Sequence, residues 1–329
     1  MGIRKEFLYI ADVIDDTVKR FDAFTGVEYD PFVTSGSGGL FGPAGVIFDH
    51  LGDLLVSNQN VGQPKNGEIL KYNGKTGAFI GAVISADQVG APFAPRGIVL
   101  SANNILYVAD QQSPSETEEP QQGELRAYSY NGTTANFIGT FNHSGFNGPF
   151  FPRGVVIGPD GLLYVSVINP LNLPESRIDG WVLRFDPETM NFIDIFVQND
   201  GTNPHFPEGL VFGPDGNLYV TSFRVNTGDN TQTDSIFIFD GLSGDFLDKI
   251  DLDAIGGLRA FAQAILFGPD GKLFVPIRFP ESDNGSVRIY DVQTKPFDFD
   301  VFIPAGGPLG FPQYLTFGKT NPGTLAYEE

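Results

Sequence analysis

Cysteine is absent from the chain, which excludes disulfides and thiolate metal sites and leaves the compartment open. No apolar run is long enough to span a bilayer, so membrane insertion is not expected. Basic residues are scarce: 20 Lys and Arg stand against 40 Asp and Glu, a formal net charge of −20. That charge repels nucleic acid and anionic membrane surfaces and favours solubility, so no nucleic-acid partner is expected. No leader-like apolar stretch precedes the first strand pattern. The expectation is a cytosolic chain or, with a leader removed, an extracellular or periplasmic one. No G-x-S-x-G nucleophile elbow occurs, and GSGG at Gly36–Gly39 lacks the Lys and the strand-to-helix setting of a phosphate loop.

What is present is a repeat. FGPAGVIFDHLGDLLVSN starts at Phe41, FAPRGIVLSANNILYVAD at Phe93, FPRGVVIGPDGLLYVSV at Phe151, FPEGLVFGPDGNLYVTS at Phe206 and FAQAILFGPDGKLFVPI at Phe261. A half copy, FPQYLTFG, starts at Phe311. The residue at or after the proline position is Ala44, Arg96, Arg153, Glu208, Gln263 and Gln313, at steps of 52, 57, 55, 55 and 50 residues. Such a period means stacked supersecondary units. Each unit carries four short runs rich in Val, Ile, Leu, Phe and Tyr, bounded by Gly, Pro, Asn and Asp, and the Asp-Gly pairs suit tight turns.

Four-stranded units repeated about an axis make an all-β, six-bladed β-propeller. Five blades are continuous, at about 41–91, 92–148, 149–203, 204–257 and 258–308. The sixth is a composite of 309–329 and 1–40, in which Pro312–Gly318 pairs beside Phe7–Ala11, Thr17–Asp22 and Val27–Phe32. One propeller domain spans 1–329, and a monomer is expected. In the fifth blade Ala264 replaces the glycine and Pro276 interrupts the second strand, which predicts a bulge there.

The turns between first and second strands, and between third and fourth, are short. The loops on the opposite face are long and varied, so a small-molecule or protein partner is expected at that face. It also receives the starts of the innermost strands. Arg96, Arg153, Glu208, Gln263 and Gln313 therefore ring the mouth of the central channel as ligand-binding candidates, with Asn58, Asp110 and Asp12 nearby at the ends of second strands. Two readings stay open. Either these residues form a hydrogen-bonded ring around the channel, or the two arginines grip a carboxylate or another anion while Glu208 acts as a base or a metal ligand. His50, His143 and His205 fall in a turn and in crossovers of different blades, which argues against a three-histidine zinc site. Glu116, Glu118 and Glu119 and the stretch Asn226–Asp234 read as polar loops, and Trp181 as a core residue.

The units [FP]-x-G-[LVI]-x-[FI]-G-P-D-G-x-L-Y-V, followed by V-x-x-[FY]-D and T-G-x-F, resemble NHL-type repeats over nearly the whole chain. That resemblance implies a ligand- or protein-binding propeller. Pro207-Glu208-Gly209 and GPDGNLYV are similar to gluconolactonase-like propellers, and the GPDG turns to the virginiamycin B lyase group. The gluconolactonase resemblance implies a calcium-like divalent cation, with Glu208 as catalytic residue and ligand and Asn58, Asp110 and Asp12 as further ligands of a hydrolase or lactonase.

Overall fold

The computed structural model describes residues 5–111, 122–169, 180–198, 204–224, 232–279 and 284–329. The order of strands follows the repeat. The chain opens with β1 (Phe7–Asp12), β2 (Thr17–Asp22) and β3 (Glu28–Val33). Blade one is β4 (Pro43–Phe48), β5 (Leu54–Asn58), β6 (Glu68–Tyr72) and β7 (Phe79–Ile84). Blade two is β8 (Pro95–Leu100), β9 (Ile105–Asp110), β10 (Glu124–Tyr130) and β11 (Ala135–Thr140). Blade three is β12 (Phe151–Ile157), β13 (Leu163–Ile168), β14 (Gly180–Asp186) and β15 (Asn191–Val197). Blade four is β16 (Phe206–Phe212), β17 (Leu218–Phe223), β18 (Ser235–Phe239) and β19 (Phe246–Asp251). Blade five is β20 (Leu266–Phe267), β21 (Leu273–Phe279), β22 (Asn284–Tyr290) and β23 (Phe299–Ile303). The last strand, β24 (Pro312–Phe317), pairs with β1 in a sheet of order β24-β1-β2-β3. Six antiparallel four-stranded sheets thus form a ring, closed as the complementary ends predict.

The seam is stitched by one carboxylate. Asp12 accepts from the backbone N–H of Gly310 at 2.7 Å and of Phe311 at 2.8 Å, and pairs with the Lys19 ammonium at 3.1 Å. Cores lie between neighbouring blades, where apolar faces of adjacent sheets meet. Trp181 sits in one of them, 9% exposed and edge-on to Phe146. A buried ion pair ties blade one to blade two: Lys71 Nζ lies 2.9 Å from Asp49 and donates to the Gly132 carbonyl at 2.7 Å.

The innermost strands share one device. The register of β4, β8, β12 and β16 slips by one residue just after Pro43, Pro95, Pro152 and Pro207. This bulge turns Ala44, Arg96, Arg153 and Glu208 toward the axis and is followed by a glycine each time. A Cβ on Gly154 would stand 2.7 Å from the Glu208 carbonyl oxygen and 2.6 Å from a Leu210 methyl. Glycine is needed because the next blade's backbone approaches so closely. Hydroxyls brace the same spots. Ser57 donates to the Arg96 carbonyl at 2.9 Å, and Ser166 accepts from Gly154 N–H at 2.8 Å while donating to the Glu208 carbonyl.

Blade five corrects one expectation. Pro276 makes no bulge: β21 runs in continuous register against β22, with Pro276 opposite Val287. The missing N–H acts on the other side, where the ladder to the innermost strand ends early and β20 keeps only two residues. Beneath the ring, the segment after β24 folds back across the channel. Leu100 and Ile157 donate backbone N–H groups to the carbonyls of Pro322 and Gly323, at 2.8 and 3.1 Å. Leu325 packs against four inter-blade cores and lines a cavity of about 30 Å³ on the channel axis. No helix among the described residues is long and apolar enough to cross a membrane.

Candidate functional site

Above that cavity the channel is filled by a polar layer. The bulges of blades two, three and four project Arg96, Arg153 and Glu208 inward, and all three are at least nine-tenths buried. Arg96 places one guanidinium nitrogen 2.6 Å from Glu208 Oε2 and donates from the same nitrogen to Gln263 Oε1 at 2.7 Å. Arg153 is less well served. Its Nε stands 3.7 Å from Glu208 Oε1, beyond hydrogen-bond range, and among the described residues its one hydrogen-bond acceptor is the side-chain oxygen of Gln111. Burial pushes Arg153 down to about 10, against the pull of Glu208 and with the Arg96 charge adding to the effect. It is still a cation at neutral pH. Burial also works against Arg96, but Glu208 and Tyr314 outweigh it and hold Arg96 above its ordinary value.

Among the described residues, Glu208 is the only carboxylate paired with either arginine. The layer therefore carries one more cation than anion. Three buried polar atoms in it lack partners among the described residues: Nε of Arg96, Nε of Arg153 and Oε1 of Gln313.

The structure brings Arg96, Arg153, Glu208 and Gln263 into one hydrogen-bonded and ion-paired set. Gln313 is buried at the corresponding position of the composite blade. Two participants were not anticipated. Gln111, one residue past the end of β9, bridges the two arginines, accepting from Arg96 at 3.4 Å and from Arg153. Tyr314 donates to the Arg153 carbonyl at 3.1 Å. The sequence signal for Gln111 is its place directly after the strand-ending Asp110.

Asn58, Asp110 and Asp12 occupy matching places but point their oxygens elsewhere. Asn58 Oδ1 accepts from Phe41 N–H at 2.6 Å, and Asp110 accepts from Phe93 and Ala94 N–H at 2.9 and 2.8 Å and from Arg126 Nε at 2.8 Å. Asp12 does the same for the composite blade. Ser222 holds Phe206 N–H at 3.0 Å, and Asp234 holds Phe261 N–H at 3.0 Å. These residues pin five of the six chain crossovers to their blades.

A divalent cation does not fit this donor set. The two Glu208 oxygens face guanidinium groups, which repel a cation, and the other proposed ligands are bonded to backbone N–H. Among the described residues no three His, Asp or Glu side chains gather as a metal-holding cluster. The histidines are scattered: His50 faces the Ser101 carbonyl, His143 stacks on Phe150, and His205 meets Gln232. Glu116, Glu118, Glu119 and residues 226–231 lie outside the described residues.

No protein-family model matches the chain. No curated protein matches it either. Solved structures do resemble it. A gluconolactonase from Xanthomonas campestris superposes with a TM-score of 0.53 at 15% identity, covering 82% of this chain and 78% of that one. A protein of unknown function from Bacteroides caccae gives 0.59 at 10% identity, covering 95% and 98%. A protein of unknown function from Dyadobacter fermentans gives 0.55 at 12%, covering 82% and 84%. At these identities the shared property is the six-bladed fold.

Proposed function

We propose that this propeller binds a small anion, a carboxylate above all, at the centre of its long-loop face. The observation that carries the reading is the surplus cation: among the described residues two buried guanidinium groups face one carboxylate, and Arg153 has a single hydrogen-bond acceptor. A buried charge without its partner is costly by several kcal/mol, on the order of what a bound counter-ion relieves. A guanidinium fork also matches the two oxygens of a carboxylate. Binding would be tested by titration calorimetry with propanoate. Arg153→Met is expected to weaken it at least tenfold. Glu208→Gln, which removes the competing internal anion, is expected to tighten it. Propanoate binding that is absent from the wild type, or unchanged in Arg153→Met, overturns the reading.

The likeness to a gluconolactonase favours a second reading at the same mouth, a hydrolase or lactonase, whose product would carry the carboxylate. A metal-dependent form of it would rest on Glu208, and the donor set speaks against that form. Thermal melts in EDTA and in millimolar calcium are expected to coincide. A calcium-dependent rise that Glu208→Gln abolishes would restore the metal site.

A further inference from the structure

Gln313 belongs to the polar layer by its backbone. The register of β24 slips just after Pro312, which faces Asp12, while Leu315 faces Ile10. This is the bulge that aims Arg96, Arg153 and Glu208 at the axis, repeated in the composite blade. Gln313 is 4% exposed. Its neighbour Tyr314 crosses the ring. The inner strands follow one another as β24, β4, β8, β12 and β16, so the composite blade stands opposite blade three. The Tyr314 hydroxyl nonetheless donates to the Arg153 carbonyl at 3.1 Å. At this level one side chain spans the axis.

The hydrogen bonds of the layer leave a mismatch. Nε of Arg96 and Nε of Arg153 are buried donors without an acceptor among the described residues, and Gln313 Oε1 is a buried acceptor without a donor. The other acceptors are taken. Both Glu208 oxygens face guanidinium groups, Gln263 Oε1 accepts from Arg96, and the Gln111 oxygen accepts from both arginines. Orphan donors and an orphan acceptor share one ring without meeting. A molecule that bridges them presents acceptor oxygens on one side and a donor on the other. A simple carboxylate supplies the first and not the second. An ammonium donor is disfavoured, because among the described residues the layer already holds two guanidinium groups against one carboxylate. A hydroxyl is neutral and satisfies the acceptor.

We infer that the anion bears its own hydroxyl, on the carboxyl carbon as in hydrogencarbonate or one carbon out as in a 2-hydroxycarboxylate. Gln313 Oε1 accepts from that hydroxyl while the carboxylate oxygens meet the arginines. The inference rests on the anion-binding reading and deepens it. A buried acceptor left unpaired is costly, and a site built to bond a hydroxyl rejects the analogue that lacks it.

Two isosteric pairs test it by titration calorimetry on the full chain: acetate against hydrogencarbonate, and propanoate against glycolate. Each pair exchanges a methyl for a hydroxyl. The expected result is at least tenfold tighter binding of the hydroxyl member in at least one pair, and that pair fixes where the hydroxyl sits. Gln313→Met, close in length but without the acceptor, should bring the favoured pair within about twofold. Gln313→Glu, which hands the arginines a second internal carboxylate, should weaken all four acids at least tenfold. Circular dichroism melts check that each variant folds. If the wild type binds acetate and propanoate but prefers neither hydroxyl partner, the hydroxyl subsite is overturned while the anion site stands. If it binds none of the four, both fall. A hydroxyl preference that survives Gln313→Met, or propanoate binding unchanged in Gln313→Glu, also overturns the subsite.

Discussion

Asp253 belongs to the crossover from blade four to blade five, and its side chain is 4% exposed. It accepts from the backbone N–H of Asp234 at 3.2 Å and of Ala260 at 3.1 Å, beside the Asp234 carboxylate and the guanidinium groups of Arg224 and Arg259. Burial, with the Asp234 charge adding to it, pushes Asp253 up to about 6. A carboxyl raised in the folded state binds its proton more tightly there than in the unfolded chain. Its ionisation therefore costs stability as pH rises from about 4 to about 6, by roughly 2–3 kcal/mol. Melts of wild type and Asp253→Asn across pH 4 to 7 are expected to diverge, the variant gaining relative to wild type as pH rises. A difference that stays constant would show that Asp253 titrates normally. The candidate site was partly legible at this scale. Alignment of the repeats places Arg96, Arg153, Glu208, Gln263 and Gln313 at one level, and the same bulge recurs at Arg96, Arg153 and Glu208. What Asn58, Asp110 and Asp12 do was not legible. A strand-ending Asp or Asn suits a cation and a backbone N–H equally well, and only the crossover geometry decides.

The bulged inner strand is the element that makes both ring and site. Its glycine lets neighbouring backbones meet, and its preceding residue reaches the axis. Gly154→Ala would drive a Cβ against the Glu208 carbonyl and Leu210. Overpacking of this kind costs about 1–3 kcal/mol. Because the clash is with the strand that carries Glu208, lower stability is expected together with weaker propanoate binding. Thermal melts and calorimetry would measure the two, and a variant as stable as wild type would contradict the close approach. Strand existence was readable from turn chemistry and period, with ends differing by a few residues. Blade five shows the limit of that reading: Pro276 signals a lost hydrogen bond, but which neighbouring strand loses it depends on the side its missing N–H would face.

At the scale of the whole molecule, the turn ending in Leu325 is a keystone. One side chain touches four of the five inter-blade cores, and two carbonyls of the same turn receive N–H groups from blades two and three. Nothing in the repeat foretold it, since the turn lies outside the repeating unit. Leu325→Ala removes contacts shared among several blades, and a loss of about 2 kcal/mol is expected, near the low end for buried leucines because this one is only partly buried. Denaturant unfolding would measure it, and a change below about 0.5 kcal/mol would demote the turn to a loose tail.

The composite blade has a further consequence, for synthesis. Asp12 and the Phe311 N–H it accepts are 299 positions apart. While a ribosome makes the chain, β1 emerges 299 positions ahead of the Phe311 N–H it will bind, next to its partner strand β24. Until β24 has been made, β1 presents an unpaired edge, the kind of surface that recruits other strands. Ring closure is thus a late event, and a chain released before residue 312 would carry that edge permanently.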